Sequence, residues 1–472
     1  MPQYVGKLLH YMKRIARPLL SIVIIFVFLF ALQHWIESTT FGQRIGAITF
    51  ASLQDLLPNF VPGERLPVVV VDIWPIKGGK DIGSTTDRKA LRELIGAIAA
   101  AHPRAIGVDI DFSPNTDGPA DDQDQGFFDY CKSFGEKNPP VPIYLGVYRA
   151  RDDGKDAWLG GQINAPLAAD VQIKIGSDAD NDIESSRDGI TNRMATWYLP
   201  RDKPKLTPLP TMSFALANSY MLASSNKSWP APPLLLGVIP IEAVLEHTSL
   251  KPNDVKENDR GYLLNFSKIR QLHHETLLTT SAQSATEFAP YLTGKVVILG
   301  DAAHAQDHFT PPVGPSSPGV YAHALGAYTL LAEPVYELKP LARVALDFIF
   351  TIPLFWMVLR RAGKRSGPTE NAHGVDGGEY RMSLLCAVSV SVLGIILMKT
   401  LHIMWLDFML VALAQLLHPH VQLWIDDRHR RRTAYSPTPS EIDMLKKLRT
   451  GAPDPNSCPL CGSKVSAREN AP

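Results

Sequence analysis

The chain has 472 residues, and its 47 Lys plus Arg balance 47 Asp plus Glu, so the formal net charge is zero. The length exceeds one ordinary core, and the balance gives no global pull toward nucleic acid or another polyanion. Four cysteines do not make a disulfide scaffold, and the 45% of hydrophobic residues pile up toward the two ends.

The first apolar run, residues 18–35, carries no charge. With its flanks it matches the roughly 20 residues a helix needs to cross a bilayer. Lys7, Lys13, Arg14 and Arg17 precede it and Glu37 follows. Positive charge stays inside, so residues 1–17 are placed in the cytoplasm, a span at 18–36, and the next segment outside. A cleaved signal peptide is the rival reading; the long basic start and the missing small-x-small site favour an uncleaved anchor.

Residues 37–340 then read as one extracytoplasmic region of mixed polarity. LPVVVVDI (66–73) is a short apolar run with the look of a buried parallel strand. Residues 84–101 read as a helix capped by Thr86 or Asp87, with Leu91, Leu94, Ile95 and Ile98 on one face. RAIGVDIDF (104–112), VPIYLGVY (141–148) and GKVVILGD (294–301) are three more strands. Pro318 and Gly319 open a further helix. Strand, helix, strand bounded by turns predicts an α/β domain with a mostly parallel sheet and long insertions. In such sheets ligands collect beyond the carboxyl ends of the strands. Asp72, Asp109, Asp111 and Asp301 sit at such ends, with Asp109 and Asp111 spaced to share one strand face. A cluster of carboxylates suits a hard cation or a polar ligand. The alternative is that each caps a turn by accepting backbone N–H bonds. Asp307 and His323 are further pocket candidates. The chain holds no GxSxG elbow, HExxH pair, Walker loop or dinucleotide glycine fingerprint.

Three apolar runs follow, at 341–359, 382–398 and 404–425. Arg360, Arg361, Lys364 and Arg365 flank the first; Arg428, Arg430, Arg431 and Arg432 follow the last. With four spans, the 360–381 loop and both termini are cytoplasmic, and the join near 399–402 is a hairpin tip. Asp347 and Asp407 at the span edges read either as an ion path or as interface-level charges. The tail, 426–472, begins basic, which suits anionic lipid. It carries CPLCG at 458–462. Cys458 and Cys461 have the form of half a zinc site, completed by another chain; a redox pair and an inert pair are the alternatives.

An ordered set of segments carries a family resemblance. They are VVVVDI (68–73), RELIGAIAAAHPRAIGVDIDFS (92–113), SSRDGITNRMATWYLP (185–200), LPTMSFALA (209–217), GKVVILGDAAHAQDHFTPP (294–312) and SPGVYAHALG (317–326). Together they resemble the CHASE2 domain, an extracytoplasmic sensory module of bacterial membrane receptors, over about residues 40–335. Asp72, Asp109, Asp188, Gly189, Arg193, Gly300, Asp307, Pro311, Gly319, His323 and Ala324 fall on motif positions. The resemblance implies a non-catalytic, multi-pass receptor of the bacterial inner membrane. Family members usually continue into a cytoplasmic kinase or cyclase, whereas only 47 residues follow the last run here and they hold no such motif. The expectation is therefore a sensor that relays to a separate signalling protein, as a homo-oligomer or hetero-complex in contact with lipid and not nucleic acid. A non-catalytic assembly subunit is the alternative, and a periplasmic enzyme using the strand-end carboxylates is the third reading.

Overall fold

The computed structural model describes residues 39–56, 66–73, 86–112, 122–147, 167–170, 193–198, 209–223, 243–244, 261–279, 282–303, 308–338, 345–347, 349–352, 377–404 and 406–434, with 24, 27, 28, 31, 32 and 356. The chain divides into two compact units. One comprises 29–351 with 388–411, and the other 1–28, 352–387 and 412–472.

In chain order the elements begin with α1 (Thr40–Leu56), β1 (Val68–Asp72), α2 (Arg88–Ala100), β2 (Ala105–Val108), α3 (Asp122–Gly135), β3 (Ile143–Val147) and β4 (Leu167–Asp170). The short strands β5 (Arg193–Met194), β6 (Trp197–Tyr198) and β7 (Leu209–Pro210) lead to α4 (Met212–Ala223), β8 (Ala243–Val244) and β9 (Tyr262–Leu263). Next come α5 (Ile269–His274), β10 (Leu277–Leu278), α6 (Ala282–Glu287), α7 (Ala289–Leu292) and β11 (Val296–Gly300). A two-stranded ladder of β12 (His308–Phe309) and β13 (Ser317–Pro318) precedes α8 (Gly319–Leu331) and β14 (Tyr336–Leu338). Last are α9 (Gly377–Thr400), β15 (Ile403–Met404) and α10 (Asp407–Ala434).

The centre of the larger unit is a six-stranded sheet in the order β10–β1–β11–β2–β3–β4. Every pairing in it is parallel. Its strands are apolar at consecutive positions because both faces are covered. The two-residue period sorts those side chains cleanly. Val68, Val70, Ala105, Val296 and Ile298 join one apolar cluster, while Val69, Val71, Ile106, Val108, Val297 and Leu299 join another. The first face carries α4 and α8; the second carries α2, α3, α6 and α7. The strand–helix alternation predicts an α/β domain with a mostly parallel sheet, and the structure has one, with helices on both faces.

Helix α2 shows why these residues form these elements. Asp87 caps it, its Oδ1 accepting from the N–H groups of Lys89 at 2.8 Å and Ala90 at 3.3 Å. Leu91, Leu94, Ile95 and Ile98 are fully buried against the sheet. Each such side chain contributes about 1.5–3 kcal/mol of burial against the entropy of ordering it. The helix stops at His102, whose φ is +53°, and Pro103 prevents continuation. Helix α8 is buried on nearly every side from Gly319 to Leu330, as befits a helix in the middle of a layer.

The carboxyl end of β2 differs from expectation. The strand ends at Val108 rather than running to 112. Asp109 N–H makes a last bond to Leu299 O at 2.7 Å, and the chain then swings toward β3, where Phe112 N–H reaches Gly146 O at 3.0 Å. Asp109 and Asp111 therefore do not share a strand face.

A stretch of α9, Tyr380–Thr400, is the one helix among the described residues long and apolar enough to cross a membrane. Its 21 residues reach about 32 Å. The apolar part of α10, Phe408–Val421, is shorter, and the helix continues to Ala434, past the predicted boundary at 425. Most of the run 18–36, and residues 341–344, 348, 353–355 and 357–359 of the next run, lie outside the described residues.

Candidate functional site

The helices that follow neighbouring strands leave the sheet on opposite faces. Chain leaving β1 and β2 passes to α2 and α3 on the second face, whereas chain leaving β11, between them, passes to α8 on the first. Such a switch opens a crevice at the carboxyl ends of the strands. Asp72, Asp109 and Asp301 follow or close β1, β2 and β11, so three of the predicted carboxylates stand at neighbouring strand ends.

Two of them hold the loop that follows β11. Asp72 is buried, and its Oδ1 accepts from Ala302 N–H at 3.1 Å. Asp301 is also buried, and its Oδ1 accepts from Ala303 N–H at 3.2 Å. These bonds are the turn-capping role of a strand-end Asp, and they fix both carboxylates in place. Asp109 lies opposite His323 of α8, with Oδ1 3.9 Å from Nε2. The His323 side chain has no solvent exposure and that of Asp109 only 8%. Asp111 is exposed beyond them.

The close approach of α8 has a sequence cause in Gly300. A Cβ there would lie 2.7 Å from Val320 Cγ2 and 3.3 Å from Asp109 Cβ. Only a residue without a side chain lets the first turn of α8 descend onto the end of β11, and that descent carries His323 to Asp109. Tyr321, in that same first turn of α8, was not singled out in the sequence, although it sits inside SPGVYAHALG. Its hydroxyl is 2.9 Å from Thr276 Oγ1, and its ring stacks on His273 at 3.7 Å with a 10° tilt. Burial raises the Tyr321 hydroxyl pKa; the Thr276 hydrogen bond opposes this, and the charge of Asp72 adds to it. Burial lowers the His273 pKa, favouring the neutral ring in the stack. The crevice end thus gathers carboxylates, a buried imidazole and a phenol, polar groups held in place by the domain's own contacts.

Arg193 is engaged elsewhere. Its guanidinium forms a two-pronged ion pair with Glu337, Nη1 to Oε2 at 3.0 Å and Nη2 to Oε1, and Nη1 also donates to Gly261 O at 3.1 Å. It ties β5 to β14. Glu337 was not visible as its partner, since 144 residues separate them. Asp188 and Asp307 lie outside the described residues.

A second junction lies where β14 meets the chain between α9 and α10. Strand β14 pairs with β8 on one side and, in parallel, with β15 on the other. Tyr336 N–H donates to His402 O at 2.8 Å, and Lys399 Nζ donates to Gln54 O of α1 at 2.6 Å. Beneath these bonds a third apolar cluster gathers Phe50 of α1, Val335 and Tyr336 at β14, Leu346, Val390 and Leu397 of α9, Ile403 of β15, and Phe408 of α10. Gly394 lets α9 and α10 touch, since a Cβ there would lie 2.4 Å from the Phe408 ring.

The metal expectations are corrected. Among the described residues no group of three or more His, Cys, Asp or Glu side chains is placed to hold an ion. Asp72, Asp109 and Asp301 therefore do not converge on a hard cation. The zinc reading at Cys458 and Cys461 is withdrawn on the same finding; a lone CxxC supplies two of the four ligands zinc needs, and both cysteines lie outside the described residues.

Compared with known proteins, residues 19–359 match the model of the CHASE2 domain. No curated protein and no solved structure matches the chain.

Proposed function

The chain belongs to the CHASE2 family of membrane sensor domains, and from that membership we propose a receptor that reads a polar ligand at the carboxyl-end crevice and relays it through the membrane. Asp72, Asp109, Asp301 and His323 form the reading site, with Asp111 at its rim; Asp188 and Asp307 are further motif residues. Arg193 acts from a distance by tying the domain to β14.

The observation that carries this reading is the third apolar cluster. It packs together α1, which follows the first apolar run, the chain after β14, which leads into the second, and the α9–α10 connection between the third and fourth. A shift in the outer domain thereby reaches every connection to the membrane through one packed core. A ligand drives that shift only as far as it prefers one of two arrangements. In this reading 18–36, 341–359, 382–398 and 404–425 are spans, 37–340 lies outside, and the termini and the 360–381 loop are cytoplasmic. The Lys/Arg clusters before 18, after 359 and after 425 support that topology. The receiver is a separate cytoplasmic or membrane protein.

Crosslinking in native membranes, followed by gentle extraction and mass spectrometry, tests the relay. A signalling protein should crosslink to the full chain, and the yield should change in Phe408→Ala, which opens a cavity in the cluster. Crosslinks to no other protein, or a yield indifferent to Phe408→Ala, would sink it.

A further inference from the structure

Helix α1 has 17 residues and two different long faces. Ala47, Phe50 and Ala51 are buried. Ile45 and Ile48 are 46% and 37% exposed, and Arg44 beside them is exposed. Exposed branched side chains one turn apart on a helix whose other face is packed call for an occupant.

The helix lies across the tip of the α9–α10 connection. Near its middle Gly46 faces Leu406, whose Cδ1 would stand in ordinary contact, 3.8 Å from a Cβ placed there. Two turns later the backbone carbonyl of Gln54 accepts from Lys399 in the last turn of α9. Leu406 and Lys399 flank the same tip, so both of these contacts of α1 fall at the end of the pair. On the other side Gln54 Oε1 accepts from Phe266 N–H at 3.1 Å, fastening α1 to the α/β domain. The uncharged run ending at residue 35 precedes Thr40 by four residues, a reach of at most about 18 Å. Helix α1 is thus held at the height of the outer end of the membrane helices.

We infer that α1 is an interfacial helix whose Ile45 and Ile48 are buried in the outer leaflet, with Arg44 turned to lipid phosphate. The chemistry is that of helices lying in the headgroup region, where apolar side chains enter the acyl boundary and cations stay at the phosphates. A second copy of the chain is the competing occupant. The lipid is favoured because the neighbouring α9 presents Val388, Val392 and Ile396 outward in the same apolar manner, and because the four-residue link from the apolar run leaves α1 little freedom to rise. The inference rests on the membrane topology proposed above, and it moves α1 from the water-facing domain into the bilayer surface.

The test uses the full chain with its cysteines replaced, in vesicles of phosphatidylethanolamine and phosphatidylglycerol. Nitroxides are placed at Ile45→Cys, Ile48→Cys, Val392→Cys and Lys89→Cys. Collision with oxygen, which concentrates in lipid, is compared with collision with a water-soluble nickel complex. Labels at 45 and 48 should favour oxygen several-fold more than the label at 89, at a depth shallower than the label at 392. If 392 reports lipid while 45 and 48 report water, α1 is not interfacial although the membrane reading stands. If 392 also reports water, the topology itself fails. Labels at 45 and 48 shielded from both reagents, with spin–spin broadening, would assign the face to a second copy and overturn the lipid assignment.

Discussion

The Arg193–Glu337 pair allows a quantitative test of how β5 is tied to β14. The two side chains keep only 15% and 21% of their exposure, the contact is two-pronged, and Arg193 adds a bond to Gly261 O. Replacing Glu337 by Gln leaves a largely desolvated guanidinium without its countercharge. A fully buried pair broken in this way costs about 3–5 kcal/mol; the residual exposure brings the expectation here to about 2–4 kcal/mol. In a domain of this size that lowers the melting temperature by about 4–10 °C. Arg193→Leu should cost a similar amount. The double variant Arg193→Leu/Glu337→Leu strands no charge, so its loss should fall short of the sum of the single losses by at least about 1.5 kcal/mol. Thermal unfolding of the full chain in nanodiscs, followed by tryptophan fluorescence, reads all three. Single variants within about 0.5 kcal/mol of the parent, with additive effects, would mean that the pair behaves as an exposed one and does not tie β5 to β14.

Gly300→Val should destabilise the domain by about 2 kcal/mol or more, because its Cβ meets Val320 and Asp109; denaturant unfolding measures it. Leu94→Ala should cost about 2–5 kcal/mol, since the side chain is fully buried in the α2 layer. Burial pushes the Cys131 thiol up to about 12 from an ordinary 9.0. Its maleimide labelling at pH 8 should therefore be about a thousandfold slower than that of an exposed thiol, and a fast native rate would refute the buried placement. Burial lowers the His273 pKa, so below the ordinary 6.5 the unfolded chain takes up protons that the folded ring resists. Stability should then decline as pH falls from about 7.5 to 5.5. In His273→Phe, which keeps a ring for the Tyr321 stack, the decline should be smaller when melting is compared at the two pH values.

The strands and α2 were legible because their signals are local. Consecutive valines mark a strand covered on both faces, and the spacing of Leu91, Leu94, Ile95 and Ile98 marks one helix face. The order of the strands was not legible, because nothing near β11 states that it will pair between β1 and β2. The three carboxylates were found as strand ends, but their assembly depends on that order. Tyr321 escaped attention because a tyrosine in an apolar helix reads as core, and only the placement of Thr276 and His273 gives it polar company. The proposed face shared by Asp109 and Asp111 failed because the final bond to β11 at Asp109 frees the chain to cross to β3. The last apolar run ends at 425 before the basic stretch at 428–432, yet arginines are good helix formers, and α10, with Pro419 inside it, runs on to Ala434.

The position of β11 also sets a schedule for biogenesis. The strand that fills the middle of the sheet lies roughly 190 residues after β2, so the sheet has a gap at its centre until most of the region has been made. Until then β1 and β2 each present an unpaired apolar edge, the arrangement most prone to pairing with the wrong chain. Pairings this distant in sequence form slowly. The region therefore folds as one late event, with its earlier strands open to mispairing while the remainder of the chain is made.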